Sequence, residues 1–359
     1  MSVEIAGIGT AVPEHQIEQD DAAEQASQIC CQTQVQQRLV KTLYRRAGVR
    51  TRHSVVLNSD TNGRPAEQSF YTQTESGPTT GQRMVAYEAS AAPLALAAAR
   101  EALEKADVAP AEITHLVTVS CSGFASPGFD LALISRLGLT SETSRTHVGF
   151  MGCHGALNGM RVANSFVQHD RAACALLCAV ELCSLHHQYR WDPEQIVANA
   201  LFADGAGALV LRGQEMNSAN WHVVAQRSAV IPDTEEMMSW RIGDHGFQMT
   251  LSAQVPQLLD EQLRPWLAGW LNEYGLAIKD IGSWAVHPGG PRILDACASA
   301  IGLSEESLAD SREVLAEFGN MSSPTILFIL DRMQRRDAPR PCVVLAFGPG
   351  LTIEAALLR

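Results

Sequence analysis

The sequence predicts an α/β protein built from two similar halves. Three observations point there. The 359 residues are 46% hydrophobic and 18% charged, enough to bury a large core. Helically spaced segments alternate with short apolar runs of strand character. One order of signals, a helix feeding a strand that ends in a Gly-rich turn, occurs twice.

Taken in order, Val3 to Gly9 reads as an opening strand. A polar, Gln-rich helical region follows and leads to a basic cluster (Lys41, Arg45, Arg46, Arg50 and Arg52), then to a loop from Asn58 to Gly81. Residues 84–106, rich in Ala and Glu, read as a helix, Ile113 to Ser120 as a buried strand, and Gly123 to Gly128 as a turn. Thr146 to Gly152 leads into Cys153 and a helix, and strands Ala173 to Val180 and Ala206 to Leu211 close the first half. The grammar then returns: an apolar helix from Val255 to Tyr274, a strand from Ser283 to Val286, the turn His287-Pro288-Gly289-Gly290 and another helix. Glu317 to Gly319 leads into Asn320 and the apolar Ile326 to Leu330, before the closing strands Cys342 to Phe347 and Leu351 to Leu358. The boundary is expected near residues 213–235, dividing the chain into 1–220 and 221–359.

Composition narrows the function. A net charge of −12 argues against a nucleic-acid partner, because a phosphate backbone is repelled unless a basic face is concentrated. The one basic cluster fits a small polyanion and fits equally a solvated helix end. Nine cysteines lie mostly among apolar neighbours, outside paired CxxC spacings, which argues against zinc. Their odd number, the length and the lack of a leader-like opening lead us to expect a reducing cytoplasm. No run of about 18 apolar residues would span a membrane.

Cys153 stands in Gly149-Phe150-Met151-Gly152-Cys153-His154-Gly155 at an expected strand end. Glycine allows a sharp turn there, and the face Leu157, Met160, Ala163 and Val167 gives a helix whose N-terminus favours a thiolate. On these residues alone, an inert buried cysteine remains open. His287 sits at a strand end in a Pro/Gly turn, better placed to reach a pocket than His115, His154, His186 or His187. Asn320, in Gly319-Asn320-Met321-Ser322-Ser323, offers an amide donor at another junction; alone it reads as a cap.

Together these positions resemble the Cys-His-Asn set of type III polyketide synthases, the chalcone synthase-like family. The resemblance spans nearly the whole chain: Gly152-Cys153, Leu201-Phe202-Ala203-Asp204-Gly205-Ala206, His287-Pro288-Gly289-Gly290-Pro291, Gly319-Asn320-Met321-Ser322-Ser323 and Phe347-Gly348-Pro349-Gly350-Leu351-Thr352. It implies a thiolase fold, five αβαβα layers from two similar halves, in a homodimer. It also implies Cys153 as nucleophile, His287 as its imidazolium partner, and His287 with Asn320 as the donors that hold an enolate. Coenzyme A thioesters, an acyl-CoA and malonyl-CoA, are then the substrates, with no cofactor and no metal. A ketoacyl synthase of fatty-acid initiation shares the residue types but usually carries His-Gln-Ala-Asn, and hydroxymethylglutaryl-CoA synthase would add a glutamate. A non-catalytic acyl-CoA-binding protein of the same fold is the alternative from another class.

Phe202 matches one family gatekeeper phenylalanine; at the other's position stands Met249, with Phe247 nearby. Cys121, Ser126, Cys183, Leu185 and His186 depart from the plant enzymes at cavity positions, and Ser322 and Pro349 complete the expected lining. Small and aliphatic groups there suit an alkyl chain, so a fatty acyl starter giving an alkylpyrone or alkylresorcinol is expected. Arg46 matches a lysine that binds CoA phosphate in the family, with Lys41 and Arg45 as neighbours.

Overall fold

Ala175, Leu177 and Ala179 point to one face of their strand, and Leu176, Cys178 and Val180 to the other, as a period of two requires. All six are fully buried. A strand buried on both faces needs a layer of structure on each side. The computed structural model, which describes residues 2–58, 67–71, 76–214 and 220–359, supplies both.

Nine strands form one hydrogen-bonded sheet. Along the chain they are β1 (Ser2–Ala11), β2 (His115–Ser120), β3 (Ser144–Gly149), β4 (Cys174–Leu182), β5 (Asp204–Gln214), β6 (Trp221–Val230), β7 (Ser283–Val286), β8 (Cys342–Gly348) and β9 (Thr352–Leu358). Their order across the sheet is β7-β8-β9-β6-β1-β5-β4-β2-β3. In the first half β4 is parallel to β2 and antiparallel to β5, which is antiparallel to β1. In the second, β8 is parallel to β7 and antiparallel to β9, which is antiparallel to β6. The halves therefore repeat one topology, and they join where Val3, Glu4 and Ile5 pair with Val223, His222 and Trp221. They differ at one edge: β3 precedes Cys153, whereas the helix Ala309–Phe318 precedes Asn320.

Three cores separate the layers. The first lies between β4 and the helices Thr80–Ala106 and Phe129–Leu137. The central one receives Ala175 and Leu177 from β4 and Val344 and Ala346 from β8, packed on Leu157, Met160, Ala163 and Val167 of the helix Gly155–His169 and on Ile326, Leu327 and Leu330 of the helix Thr325–Arg335. The third sets Val343, Leu345 and Phe347 of β8 against the helices Val255–Asn272 and Pro291–Ile301. Helix, sheet, helix, sheet, helix is the five-layer thiolase arrangement. Each fully buried leucine contributes on the order of 2 kcal/mol, so both halves of the nine-stranded sheet are held to one central layer.

The structure departs from the sequence reading in three places. Residues 221–230 are β6, the edge that joins the halves, where only a boundary was expected. Met238–Gly243 and Gly246–Leu251 form an antiparallel ribbon that the mixed polar pattern hid. The long helix starts at Thr80, because Thr79 and Gln82 form a capping box. Of the loop expected from Asn58 to Gly81, residues 59–66 and 72–75 lie outside the described residues; Leu57–Asn58 pairs with Glu67–Gln68.

Candidate active site

Cys153 follows β3 in a short 3-10 turn, Gly152–His154, that runs directly into the helix Gly155–His169. Gly152 has φ +69°, and a Cβ there would also lie 2.7 Å from Pro349 Cδ. Glycine is therefore required twice over, for its backbone angle and for the close passage of Pro349. Two further residues near the turn hold left-handed angles: Phe150 at +61° and Ser322 at +56°. Such angles cost about 1–3 kcal/mol each outside glycine and persist where the surroundings impose them, often at functional sites.

The second half brings His287 and Asn320. The His287 backbone N–H donates to Leu345 O at 2.8 Å, continuing the β7–β8 pairing past its last residue, and Pro288-Gly289-Gly290 then turns the chain away. Asn320 is stitched to the first half: its N–H donates to Leu201 O at 2.8 Å, and its carbonyl accepts from Ala203 N–H at 2.9 Å. This bridge sets Phe202 beside Asn320. Asn320 Oδ1 accepts from Ser322 N–H at 2.8 Å, which leaves Nδ2 as the free donor. Among the described residues, Asn320 Nδ2 and both ring nitrogens of His287 have no hydrogen-bond partner, although both residues are 1% exposed. Buried polar atoms are rarely left so, and a group of them marks a place where a ligand completes the bonding.

Burial pushes the Cys153 thiol up to about 11; the Ser322 side chain works against that shift, Glu181 with it, and Asn320 again against it. Asn320 Nδ2 is near enough to favour the thiolate, yet makes no full hydrogen bond to it. Burial first, and then the neighbouring His154, push His287 down to about 3. Both shifts favour the neutral thiol and the neutral imidazole over the charged pair that the resemblance implies. Desolvation outweighs the helix N-terminus here.

Glu181 on β4, which the sequence reading left without a role, organises the wall beside the thiol. It is fully buried and accepts from Cys121 N–H at 3.0 Å, Ser122 N–H at 2.9 Å, Ser122 Oγ at 2.6 Å and Ser323 Oγ at 2.9 Å. Cys121 Sγ lies 3.8 Å from Ser322 Oγ, so Cys121, Ser322 and Cys153 share one cluster, with Cys183 in electrostatic reach. His186 stacks on Phe247 with centroids 4.2 Å apart; its Nε2 pairs with Ser122 O at 2.7 Å and its Nδ1 accepts from Phe247 N–H at 3.0 Å. Trp240 packs edge-on against both rings and donates Nε1–H to Cys121 O at 2.8 Å. Met249 pairs with Trp240 across the ribbon. The aromatic wall was missed because its members meet only when the ribbon folds back onto residues 120–123.

Two expected lining residues lie elsewhere. Leu185 points into the first core, away from the thiol, and its carbonyl accepts from Arg83 at 2.5 Å. Ser126 is exposed on a surface cavity of about 260 Å³ with Tyr87, Phe129 and His147, because the loop swings outward after Gly123. The basic cluster also divides. Arg46 stands at a cleft of about 410 Å³ lined by apolar groups such as Leu43, Val197, Leu251 and Ile293 and by the turn Gly289–Pro291. Lys41 and Arg45 pair with Glu24 and Asp20 at 2.7 and 3.1 Å, off that cleft. Arg52 is buried, donating to Asn199 O at 2.7 Å and Phe202 O at 2.9 Å, and is structural.

A duplicated αβαβα fold that sets Asn320 of one half beside Cys153 of the other, with His287 in reach of the adjoining His154, defines a thiolase-fold acyltransferase. The chain matches the chalcone and stilbene synthase N-terminal domain over residues 2–215 and the C-terminal domain over residues 222–359, and belongs to that family, the type III polyketide synthases. It is 36% identical to a 1,3,6,8-tetrahydroxynaphthalene synthase of Streptomyces peucetius subsp. caesius, over 99% of this chain and 92% of the relative. It is 32% identical to an alpha-pyrone synthesis polyketide synthase-like protein of Mycobacterium tuberculosis, over 98% and 90%. The crystal structure of PKS-I from the brown alga Ectocarpus siliculosus superposes with a TM-score of 0.93 at 32% identity, over 100% of this chain and 98% of that one. Among the described residues, no helix is long and apolar enough to cross a membrane, and no three His, Cys, Asp or Glu side chains group as a metal site.

Proposed function

We propose that this synthase loads an acyl group from coenzyme A on Cys153 and extends it with malonyl-CoA through repeated decarboxylative condensation. The observation that carries the reading is a buried thiol beside Asn320, whose Nδ2 is unpartnered, with His287, whose two ring nitrogens are unpartnered, in reach of the adjoining His154. His287 takes the thiol proton as sulfur attacks the thioester carbonyl, then returns it to the departing CoA thiolate. When malonyl-CoA enters, loss of carbon dioxide leaves an enolate whose oxygen accepts hydrogen bonds from His287 and Asn320 Nδ2. The enolate carbon attacks the acyl-Cys153 carbonyl and expels the sulfur, lengthening the chain by two carbons. No cofactor enters this scheme. Divided after residue 220, the chain carries the nucleophile in one half and its partners in the other.

Three finer points belong to the same reading. Arg46 at the cleft mouth binds a CoA phosphate, and the apolar lining takes the pantetheine arm or an alkyl chain. A fatty acyl starter and an alkylpyrone or alkylresorcinol product fit the aliphatic cleft and the flexible Met249. The Trp240–His186–Phe247 wall favours a second reading, a short starter cyclised in a confined cavity. The exposed Phe124, Phe150 and Met151 beside the edge strand β3 support a homodimer, and nine free cysteines support a reducing compartment, the cytoplasm. The test is product mass after incubation with malonyl-CoA and a panel of acyl-CoAs, beside Cys153→Ala. Cys153-dependent alkylated polyketides establish the first reading and malonate-only aromatics the second; a single condensation, or none, overturns the proposal.

A further inference from the structure

His154 follows the nucleophile and has no part in the chemistry above, yet it is 3% exposed. Its Nδ1 lies 2.5 Å from Asn158 Oδ1. Asn158 Nδ2 donates to Glu354 Oε1 at 3.0 Å, so its amide oxygen is the acceptor and the histidine donates from Nδ1. The neutral ring therefore carries its lone pair on Nε2, which has no hydrogen-bond partner among the described residues. Glu354 is itself 2% exposed, on the face of β9 that Ala356 and Leu358 turn into the central core. A lone carboxylate there would be costly, and it is held by Ser228 Oγ at 2.7 Å and an ion pair with Arg161. His154, Asn158 and Arg161 share one helical face, so a polar chain runs from the nucleophile turn of the first half into a strand of the second. The edge of the ring also lies close to Gly348: a Cβ there would collide with it, coming within 2.8 Å of Nε2. His287 is within its electrostatic reach.

We propose that His154 is a positioning residue for the condensation: the Glu354–Asn158 chain holds its ring as the Nδ1–H tautomer, and the ring so held sets the Cys153 turn against His287. The inference rests on Cys153 and His287 being the reacting groups. The charged or titratable groups facing the ring are Glu354 from β9, Arg161 from its own helix and His287 from the end of β7.

The experiment measures kcat, KM for malonyl-CoA and the pH profile of kcat/KM for His154→Phe, Asn158→Leu, their double variant and His154→Asn, beside Cys153→Ala. His154→Phe and Asn158→Leu should each lower kcat about tenfold with KM held within about twofold, and the double variant should be no worse than either single one. His154→Asn, which keeps a donor near the Nδ1 position, should recover most of the loss. In His154→Phe the acid limb should move to higher pH, because the positive charge that His154 takes up in acid, which opposes protonation of His287, is gone. Unchanged kcat and acid limb, multiplied losses in the double variant, or losses that merely track the folded fraction overturn the inference. Activity surviving in Cys153→Ala would instead overturn the nucleophile assignment beneath it.

Discussion

Gly152 shows how much one residue decides. An alanine there must hold φ near +69° and displace Pro349 from the opposite half, so the turn carrying Cys153 would shift. A penalty of about 1–3 kcal/mol, felt at the turn that carries the thiol, corresponds to roughly 5- to 150-fold in rate. We therefore expect Gly152→Ala to retain less than about a fifth of wild-type kcat while its melting temperature falls only a few degrees; near-normal turnover would mean that the turn is not under constraint. Arg46 makes the opposite kind of contribution, away from the chemistry. Arg46→Glu should raise KM for CoA substrates about tenfold with kcat within about twofold, whereas Lys41→Glu, which removes a partner of Glu24, should leave both nearly unchanged. Equal effects from the two reversals would count against the cleft mouth as the phosphate site.

The ribbon Met238–Leu251 is the element whose function is least visible in its own residues. Its register places Trp240 across from Met249 and Ile242 across from Phe247, and its docking rests on the Trp240 bond to Cys121 O and the stack of Phe247 on His186. Trp240→Ala should enlarge the space beside Cys121 and lower stability by about 2–3 kcal/mol, through lost aromatic contact and one orphaned carbonyl. Starter panels and urea unfolding check both parts. An unchanged starter preference at reduced stability would make the wall purely structural. The helix Gly155–His169, by contrast, is readable in advance, because Leu157, Met160, Ala163 and Val167 recur at helical spacing and all four enter the central core.

At the scale of the whole molecule, a large αβαβα core buries histidines that would be charged in water. Burial above all depresses His186 to about 4 and His187 and His287 to about 3. Between pH 6.5 and those values the unfolded chain binds more protons than the folded one, so stability falls as pH falls through that window. Asp204 works in the other direction: burial raises it to about 6, so below that pH the folded state takes up a proton and regains part of the loss. Three histidines outweigh one carboxylate. The urea midpoint should therefore drop between about pH 7 and pH 5, with a shallower slope in His187→Gln; a midpoint that stays flat or rises over that range would refute the account.

The fold class, the repeat and the three candidate residues were legible in the sequence because each depends on local signals: strand and helix periods, Gly-rich turns and short motifs at Cys153, His287 and Asn320. The strand β6, the ribbon, the outward swing of Ser126 and the inward turn of Leu185 were not, since weak local patterns there are overruled by pairing with distant segments. The same holds for Arg52, which a charge count places in a basic patch and the fold buries against the carbonyls of Asn199, Ala200 and Phe202. The sequence by itself determined the family, the motifs at Cys153, His287 and Asn320, and the two similar halves that carry them. Only the tertiary structure decided their desolvation, which shifts thiol and imidazole toward their neutral forms, and their setting, through contacts such as His154 to Gly348 that no single segment contains.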